Sequence, residues 1–404
     1  MLRDGLDRMI KIRTVDQLAL RGSRVFYRVD YNVPLDGDRI TDATRIEQTL
    51  ATLRLMRDRD AAIVIASHLG RPKGQRNAKD SLQPVRAKLA ELMDIDVQWA
   101  NDCVGAEAEG KAWQLKTGQL LLLENLRFHA GEEQNDPAFA GQLRKLAGFY
   151  VNDAFGASHR AHASIDALPK LFPADHTAGG LLLARELEFL QKVTAASDRP
   201  FVALLGGAKI AGKIEPLEAL VNLADTVLIG GGMANTFLAA QGVKMGKSLV
   251  DRDSLDVATR ILNGKHRAEL MIPVDVVVTD SLDAPKTIET VDVKRGLSDR
   301  QMAVDIGPGT VAAFAASIKG AGTVFWNGPM GVFEKEPFAK GTMAMARAIA
   351  EAEATTVVGG GESVEAVNAS GFANRISHIS TGGGASLEFI SGAPLPGVEV
   401  LRVS

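Results

Sequence analysis

The chain has little cysteine, almost no net charge and no long apolar run, and each shortage removes a class of function. Cys103 is its one cysteine, so no internal disulfide and no all-thiolate metal site can form, which fits a reducing compartment. Lys and Arg number 46 against 49 Asp and Glu, a formal charge of -3, so no bulk cationic field attracts nucleic acid or an anionic membrane. No stretch reaches the roughly 18 uninterrupted apolar residues of a membrane helix. The opening MLRDGLDRMIKIRTVDQLALRG scatters charges where a signal peptide has its apolar centre. A cytoplasmic protein is expected. The seven histidines include no His-Glu-x-x-His, and no short-period repeat or low-complexity segment is present. What remains is a 404-residue chain, 46% hydrophobic, enough for roughly two to three folded domains.

Glycine is plentiful instead: 40 residues, bunched behind apolar runs. VFYRVDYN (25–32), AAIVIAS (61–67), LLLLENL (120–126) and FYVNDAFG (149–156) read as buried strands. Helix-like stretches such as DATRIEQTLATLRLMRD and LQPVRAKLAELM lie between them. After residue 200 the pattern restarts with FVALLGG, TVLIGGG, LMIPVDVVV, TVFWNGP, TTVVGGG and HISTGGGA. The alternation predicts an α/β protein made of two doubly wound parallel-sheet, Rossmann-like domains. LLLARELEFLQKV, with apolar residues at helical spacing, and the turn-rich ASDRP after it predict a connecting helix and hinge over 181–199. The expected domains are therefore 1–180 and 200–392, with the tail 393–404, too short to fold alone, packed on the first.

In the first half, arginines and small polar groups sit at or beyond the ends of the apolar runs: Asp30 and Asn32, His68 and Arg71, Arg127, and Arg160. Arg45 opens the helix after the first strand. The carboxyl ends of parallel strands face one crevice, so these residues should converge into a pocket for a small polyanion. Any one arginine alone reads as a solvated surface charge; recurrence at one topological position weakens that reading. In the second half, GGAKIAGK (206–213), GGGMAN (230–235), GGGES (359–363) and TGGGAS (381–386) close the strands. Helix N-termini carrying glycine admit anions close to the backbone, which suggests nucleotide phosphates. Lys209 and Lys213, four apart, share one face if that segment is helical. GVKMGKS (242–248) lacks the first glycine of a phosphate loop and follows a helix, and GPGTVA (307–312) has no acidic partner at the right spacing, so neither marks a dinucleotide or Walker site. His159 and His162 lack carboxylates at ligand spacing and read as hydrogen-bonding residues.

RVDYNVP, SHLGRP, LLLENLRFHAGEE, NDAFGASHRAHAS, LLGGAKIAGK, VFWNGPMGVFE, VVGGGES and SHISTGGGASLEF, in this order, resemble the phosphoglycerate kinase family from about residue 12 to the carboxyl terminus. The resemblance implies a hinge-bending monomer that reversibly transfers a phosphoryl group from 1,3-bisphosphoglycerate to Mg-ADP. It places the triose site on Asp30, Tyr31, Asn32, Arg45, His68, Leu69, Gly70, Arg71, Arg127 and Arg160. The nucleotide site falls on Lys213, Asn327, Pro329, Glu334, Gly360, Gly361, Glu362 and Ser363, with Glu362 facing the Mg²⁺ that accompanies the nucleotide. Arg45, Lys209, Gly382, Gly383 and Gly384 would surround the phosphoryl group in flight.

The chain departs from the family pattern at four places. Glu362 stands where an aspartate is usual, Gly212 replaces a polar residue before Lys213, Tyr31 a phenylalanine and Ile165 a threonine. The first should alter metal geometry and the second loosen the loop; the last two should affect packing only. No kinase catalytic-loop Asp motif is present, as suits a transfer between anionic oxygens that needs no general base. A non-catalytic nucleotide sensor and a phosphotransferase acting on another small carboxylate are the competing readings.

Overall fold

The computed structural model describes residues 10–403. They form two compact units, one running to Glu188 and resumed from Pro394, the other Phe189–Ala393. In the first, six parallel strands lie in the order Val97–Ala100, Leu120–Leu123, Ala62–Ala66, Arg24–Arg28, Phe149–Asn152, Thr177–Gly179. Ala62–Ala66 and Leu120–Leu123 are buried at every position. Helices such as Leu50–Asp58 and Gln83–Met93 join these strands, and a parallel sheet covered on both faces favours continuous apolar runs over alternation. The C-terminal segment docks here. Gly397 donates to the Ser158 carbonyl at 2.9 Å and accepts from Asn152 Nδ2 at 3.1 Å. A Cβ on Gly397 would lie 2.7 Å from Ile165 Cγ2, so no side chain fits.

Helix Leu181–Ala195 contains the division between the units. Its first turn is held by Asp153, whose carboxylate accepts from the Leu183 amide at 2.8 Å, Tyr27 at 2.7 Å and Thr52 at 2.6 Å. Burial raises this carboxyl to about 6 even though these donors pull the other way.

The second unit has six parallel strands in the order Glu269–Met271, Thr226–Ile229, Phe201–Leu205, Thr323–Asn327, Thr355–Gly359, His378–Ile379. LMIPVDVVV is not the single strand its composition suggests. Pro273 has no amide for a ladder, and the run divides there into Glu269–Met271 and Asp275–Thr279. The second piece pairs antiparallel with Ile288–Asp292 and Met302–Ile306 in a separate three-stranded sheet. Among the described residues no helix is long and apolar enough to cross a membrane.

Candidate active site

In the first unit every polar cluster singled out in the sequence follows the carboxyl end of a parallel strand, as the topology requires. After Arg24–Arg28 the chain presents Asp30, 8% exposed, to Arg45 Nη1 at 2.8 Å. His68 Nε2 lies 3.8 Å from the same oxygen, and the Asn32 amide donates to it at 3.1 Å. Burial alone would raise the Asp30 carboxyl; the Arg45 and Arg28 guanidiniums and the Asn32 amide are among the neighbours that outweigh it and hold it at about 2. Burial in turn pushes His68 well below its ordinary value. Arg28 Nη2 is 3.2 Å from His68 Nδ1, and a guanidinium only donates, so the neutral ring carries its proton on Nε2.

The turn after Ala62–Ala66 is tied to these groups. Gly70 donates to Asn32 Oδ1 at 2.8 Å and accepts from Arg127 Nη1 at 2.8 Å. Its φ is +62° and a Cβ would lie 2.2 Å from Asp80 Oδ1, so only glycine fits. Leu69 is buried and offers its carbonyl to Asn125 Nδ2 at 2.7 Å. Asn125 also accepts from the Arg127 amide at 3.0 Å, opening the turn Leu126–Phe128 that delivers Arg127. Arg127 is 5% exposed, and its Nε makes no hydrogen bond but lies 3.4 Å from Glu133 Oε1. Burial, then Arg28, lowers its pKa, with Arg160 acting in the same direction, so three guanidiniums share this volume. Arg160 and Arg71 are both exposed. Tyr31 is not brought to the pocket: its ring is fully buried and its hydroxyl meets Thr49 Oγ1 at 2.8 Å.

Two further members of this cluster are Arg28, which the sequence reading passes over, and His162, which it takes only as a hydrogen-bonding residue. Arg28 is fully buried within a strand, donates to Ser164 Oγ at 2.7 Å and lies 3.8 Å from Glu132. A charge inside an apolar run was the available signal. His162 is 6% exposed, its Nδ1 has no hydrogen-bond partner, and burial together with Arg127, Arg28 and Arg160 lowers it to about 3. Arg127 Nε lies 3.4 Å from Glu133 and His162 Nδ1 4.0 Å from Glu132, and buried nitrogens that make no hydrogen bond are costly unless an anion or other acceptor meets them.

Elsewhere in this unit Asp102, Cys103 and His129 bring ligand-type atoms within 4.8 Å of one another. Asp102 Oδ1 already accepts from His129 Nε2 and from the Cys103 amide, both at 2.6 Å. Burial, Asp102 and Glu132 push the thiol well up, so the group reads as a closed turn.

In the second unit GGGMAN, GGGES and TGGGAS do open helices, Gly231–Ala240, Gly361–Ser370 and Gly383–Ile390. GGAKIAGK does not. Residues 206–213 are a loop, and Lys213 stands at the N-cap of Ile214–Leu223, so the shared helical face expected for Lys209 and Lys213 does not exist. Gly207 and Gly212, at φ +97° and +82°, adopt a conformation that interrupts a right-handed helix. Lys209 is exposed. Lys213 Nζ donates to the Gly206 carbonyl at 2.9 Å; burial lowers its pKa to about 8, against the opposing effect of Glu362.

The strand ends are stitched together by backbone. Gly206 donates to the Asn327 carbonyl at 3.0 Å and Gly207 to that of Pro329 at 2.9 Å. Asn327 Nδ2 holds the Gly359 carbonyl at 2.9 Å, and buried Ser363 accepts from the Gly328 amide at 2.5 Å. Gly360 has φ +94°, and a Cβ on Gly383 would stand 3.6 Å from its Cα, so the helices beginning at Gly361 and Gly383 start side by side. The Gly382 amide donates to Ser380 Oγ at 3.1 Å, while the first-turn amides after it, like those after Gly360, have no partner within their helix and are of the kind that can meet an anion. Beside them lies a cavity of about 210 Å³ lined by Gly207, Gly231, Leu249, Pro329, Glu334 and Glu362, among others. Both glutamates are exposed. By contrast, the helix Pro308–Lys319 opened by GPGTVA has its first amides taken by Asp275, which accepts from Gly309 at 2.9 Å and Thr310 at 2.7 Å.

A family model described as phosphoglycerate kinase matches residues 15–393. A phosphoglycerate kinase of Moorella thermoacetica is 50% identical over 392 residues, covering 96% of this chain and 98% of that one. One of Koribacter versatilis is 50% identical over 398 residues, with the same coverage. The solved phosphoglycerate kinase structure from Coxiella burnetii superposes with a TM-score of 0.86 at 36% identity, covering 97% of this chain and 99% of its own. The structure from Pyrococcus horikoshii gives 0.86 at 32% identity, covering 97% and 98%.

Proposed function

The chain belongs to the phosphoglycerate kinase family, and from that premise we propose how its residues divide the reaction. The enzyme is a phosphotransferase with a carboxyl group as acceptor: it moves a phosphoryl group reversibly between 1,3-bisphosphoglycerate and ADP, giving 3-phosphoglycerate and ATP in glycolysis. The first unit binds the triose. Arg71, Arg127, Arg160 and Arg45 take its phosphate and carboxylate, while Asp30, Asn32 and the Nε2 proton of His68 meet its hydroxyl and ester oxygens. The observation that supports this reading is the gathering of Arg28, Arg127 and Arg160 about His162, where the buried Arg127 Nε and His162 Nδ1 make no hydrogen bond and have only Glu133, at 3.4 Å, and Glu132, at 4.0 Å, as ionic neighbours.

The second unit binds the Mg-nucleotide. Lys213 and the amides of Gly360, Gly361 and Ser363 face its phosphates, Glu334 the ribose, and Asn327 and Pro329 shape the wall. Glu362 faces the Mg²⁺, which arrives as part of the substrate. Arg45, Lys209 and the helix start at Gly382–Gly384 stabilise charge on the phosphoryl group in transit. The attacking oxygen is anionic in either direction, so positioning and charge stabilisation suffice and no base is required. Water has to be kept from the transfer, because it would otherwise hydrolyse the acyl phosphate. We place the enzyme in the cytoplasm, acting as a monomer without nucleic-acid or membrane partners; its lone buried cysteine supports the reducing compartment. A coupled assay supplying 3-phosphoglycerate and Mg-ATP tests the assignment. Turnover with the triose KM moved by Arg127→Ala, and the ATP KM unmoved, supports it; the reverse pattern overturns the division of roles.

A further inference from the structure

Asp305 belongs to no site assigned above, yet it is 4% exposed, at the end of the strand Met302–Ile306, and it lines the cavity beside the glycine-rich helix starts. Its Oδ2 accepts from the Gly341 amide at 2.6 Å, in the first turn of helix Lys340–Glu351, and its Oδ1 from the Ile306 amide at 2.9 Å. Two glycines make room for it. A Cβ on Gly341 would stand 2.3 Å from Oδ1, and one on Gly331 would stand 2.6 Å from it. Gly331 opens the loop that runs through Glu334 to Lys335. That loop is fastened at both sides of the carboxylate: the Val332 amide donates to the Val304 carbonyl at 2.8 Å, and the Met330 amide to Thr342 Oγ1 at 3.0 Å. Asp305 thus sits at the joint between the strand, the loop bearing Glu334, and the N-terminus of the helix.

We propose that the Asp305 carboxylate is a positioning residue for the nucleoside: by capping helix Lys340–Glu351 it fixes the loop Gly331–Lys335, and with it Glu334 and the cavity wall. The proposal rests on the reading of this cavity as the nucleotide site. It extends that reading by making nucleoside affinity depend on the ionised form of a group that does not touch the phosphates.

Among the described residues no cation pairs with the carboxylate. The packed strand Asp275–Thr279 offers only Asp275, already engaged by Thr310 Oγ1 at 2.6 Å, and helix Gly231–Ala240 has no titratable residue. Helix Lys340–Glu351 carries Lys340 at its start and Arg347 and Glu351 further along; the loop adds Glu334 and Lys335, the latter paired with Asp283 at 2.6 Å; Glu362 lies across the cavity. Burial raises the Asp305 carboxyl to about 7, and the two amides offset it only in part. Below that value the proton removes an acceptor from the joint.

Adenosine alone is the probe, because it carries no phosphate and leaves the Lys213 equilibrium untouched. Calorimetric titration of the wild-type enzyme should show adenosine affinity falling about tenfold as pH drops through 7, the range associated with losing a hydrogen bond to a charged group. Asp305→Asn should sit at the low-pH affinity throughout, with kcat and the triose KM unchanged. Gly341→Ala, which adds a helix-favouring residue but crowds the carboxylate, should also weaken adenosine binding. A flat wild-type profile, or an Asp305→Asn profile that still bends, overturns the proposal. Glu334→Ala separates it from the underlying reading. If that variant weakens adenosine while Asp305→Asn does not, the positioning role fails and the nucleotide site stands; if neither does, the site assignment fails.

Discussion

On the proposed assignment, Lys213 places a quantitative demand on nucleotide binding. It stands at a helix N-cap, where the dipole opposes a cation, and its ammonium bonds to a carbonyl while largely removed from water. Its pKa falls from 10.5 to about 8, a cost to the charged form on the order of 3 kcal/mol. The sign follows: this cost is present in the free enzyme below about pH 8 and disappears as pH climbs from there toward the unfolded value of 10.5. Nucleotide phosphates favour the ammonium and restore its pKa, so binding takes up a proton. At about pH 8 the free residue is half charged, and ADP binding should absorb roughly half a proton. The charged fraction drops from about nine-tenths near pH 7 to about one-tenth near pH 9, so ADP affinity should fall about tenfold over that span. The terminal phosphate, with its second pKa near 6, changes little there. Calorimetry in two buffers of different ionisation enthalpy measures both quantities. Lys213→Arg, charged throughout, should flatten the profile, and Glu362→Gln should move its fall to lower pH. Wild-type affinity that is constant between about pH 7 and 9, with no proton uptake, refutes the reasoning.

Lys209→Ala should lower kcat by roughly 10²–10³ with the fold intact, the usual loss for one preorganised charge stabiliser, and a drop under about threefold would remove it from the transfer step. Arg127→Ala should raise the KM for 3-phosphoglycerate by roughly 10- to 100-fold with kcat nearly constant, read from initial rates over a triose series. Asp153, raised from 3.8 to about 6, makes the folded state less stable as pH rises between those values, by about 3 kcal/mol in all. The stability difference between wild type and Asp153→Asn, from urea unfolding at several pH values, should shrink by that amount across the window; a constant difference would show that the carboxyl titrates outside it.

Short apolar runs ending in glycine or in polar clusters made both parallel sheets and the candidate residues at their carboxyl ends legible in the sequence, because each feature is local in the chain. The arginines of SHLGRP and LLENLRFH, and the helix starts at GGGMAN, GGGES and TGGGAS, were visible for the same reason. Local composition misled where a single residue changed the hydrogen-bonding possibilities: Pro273 splits LMIPVDVVV between two sheets, and the left-handed glycines at 207 and 212 keep Lys209 and Lys213 off a common helix. The tertiary structure alone decided which buried nitrogens make no hydrogen bond, that Arg28 fixes the His68 tautomer, that Tyr31 faces the core, and that Asp305 is wedged between Gly331 and Gly341. Strand periodicity is written in neighbours along the chain. Burial and its electrostatic consequences depend on what residues distant in sequence exclude, namely water.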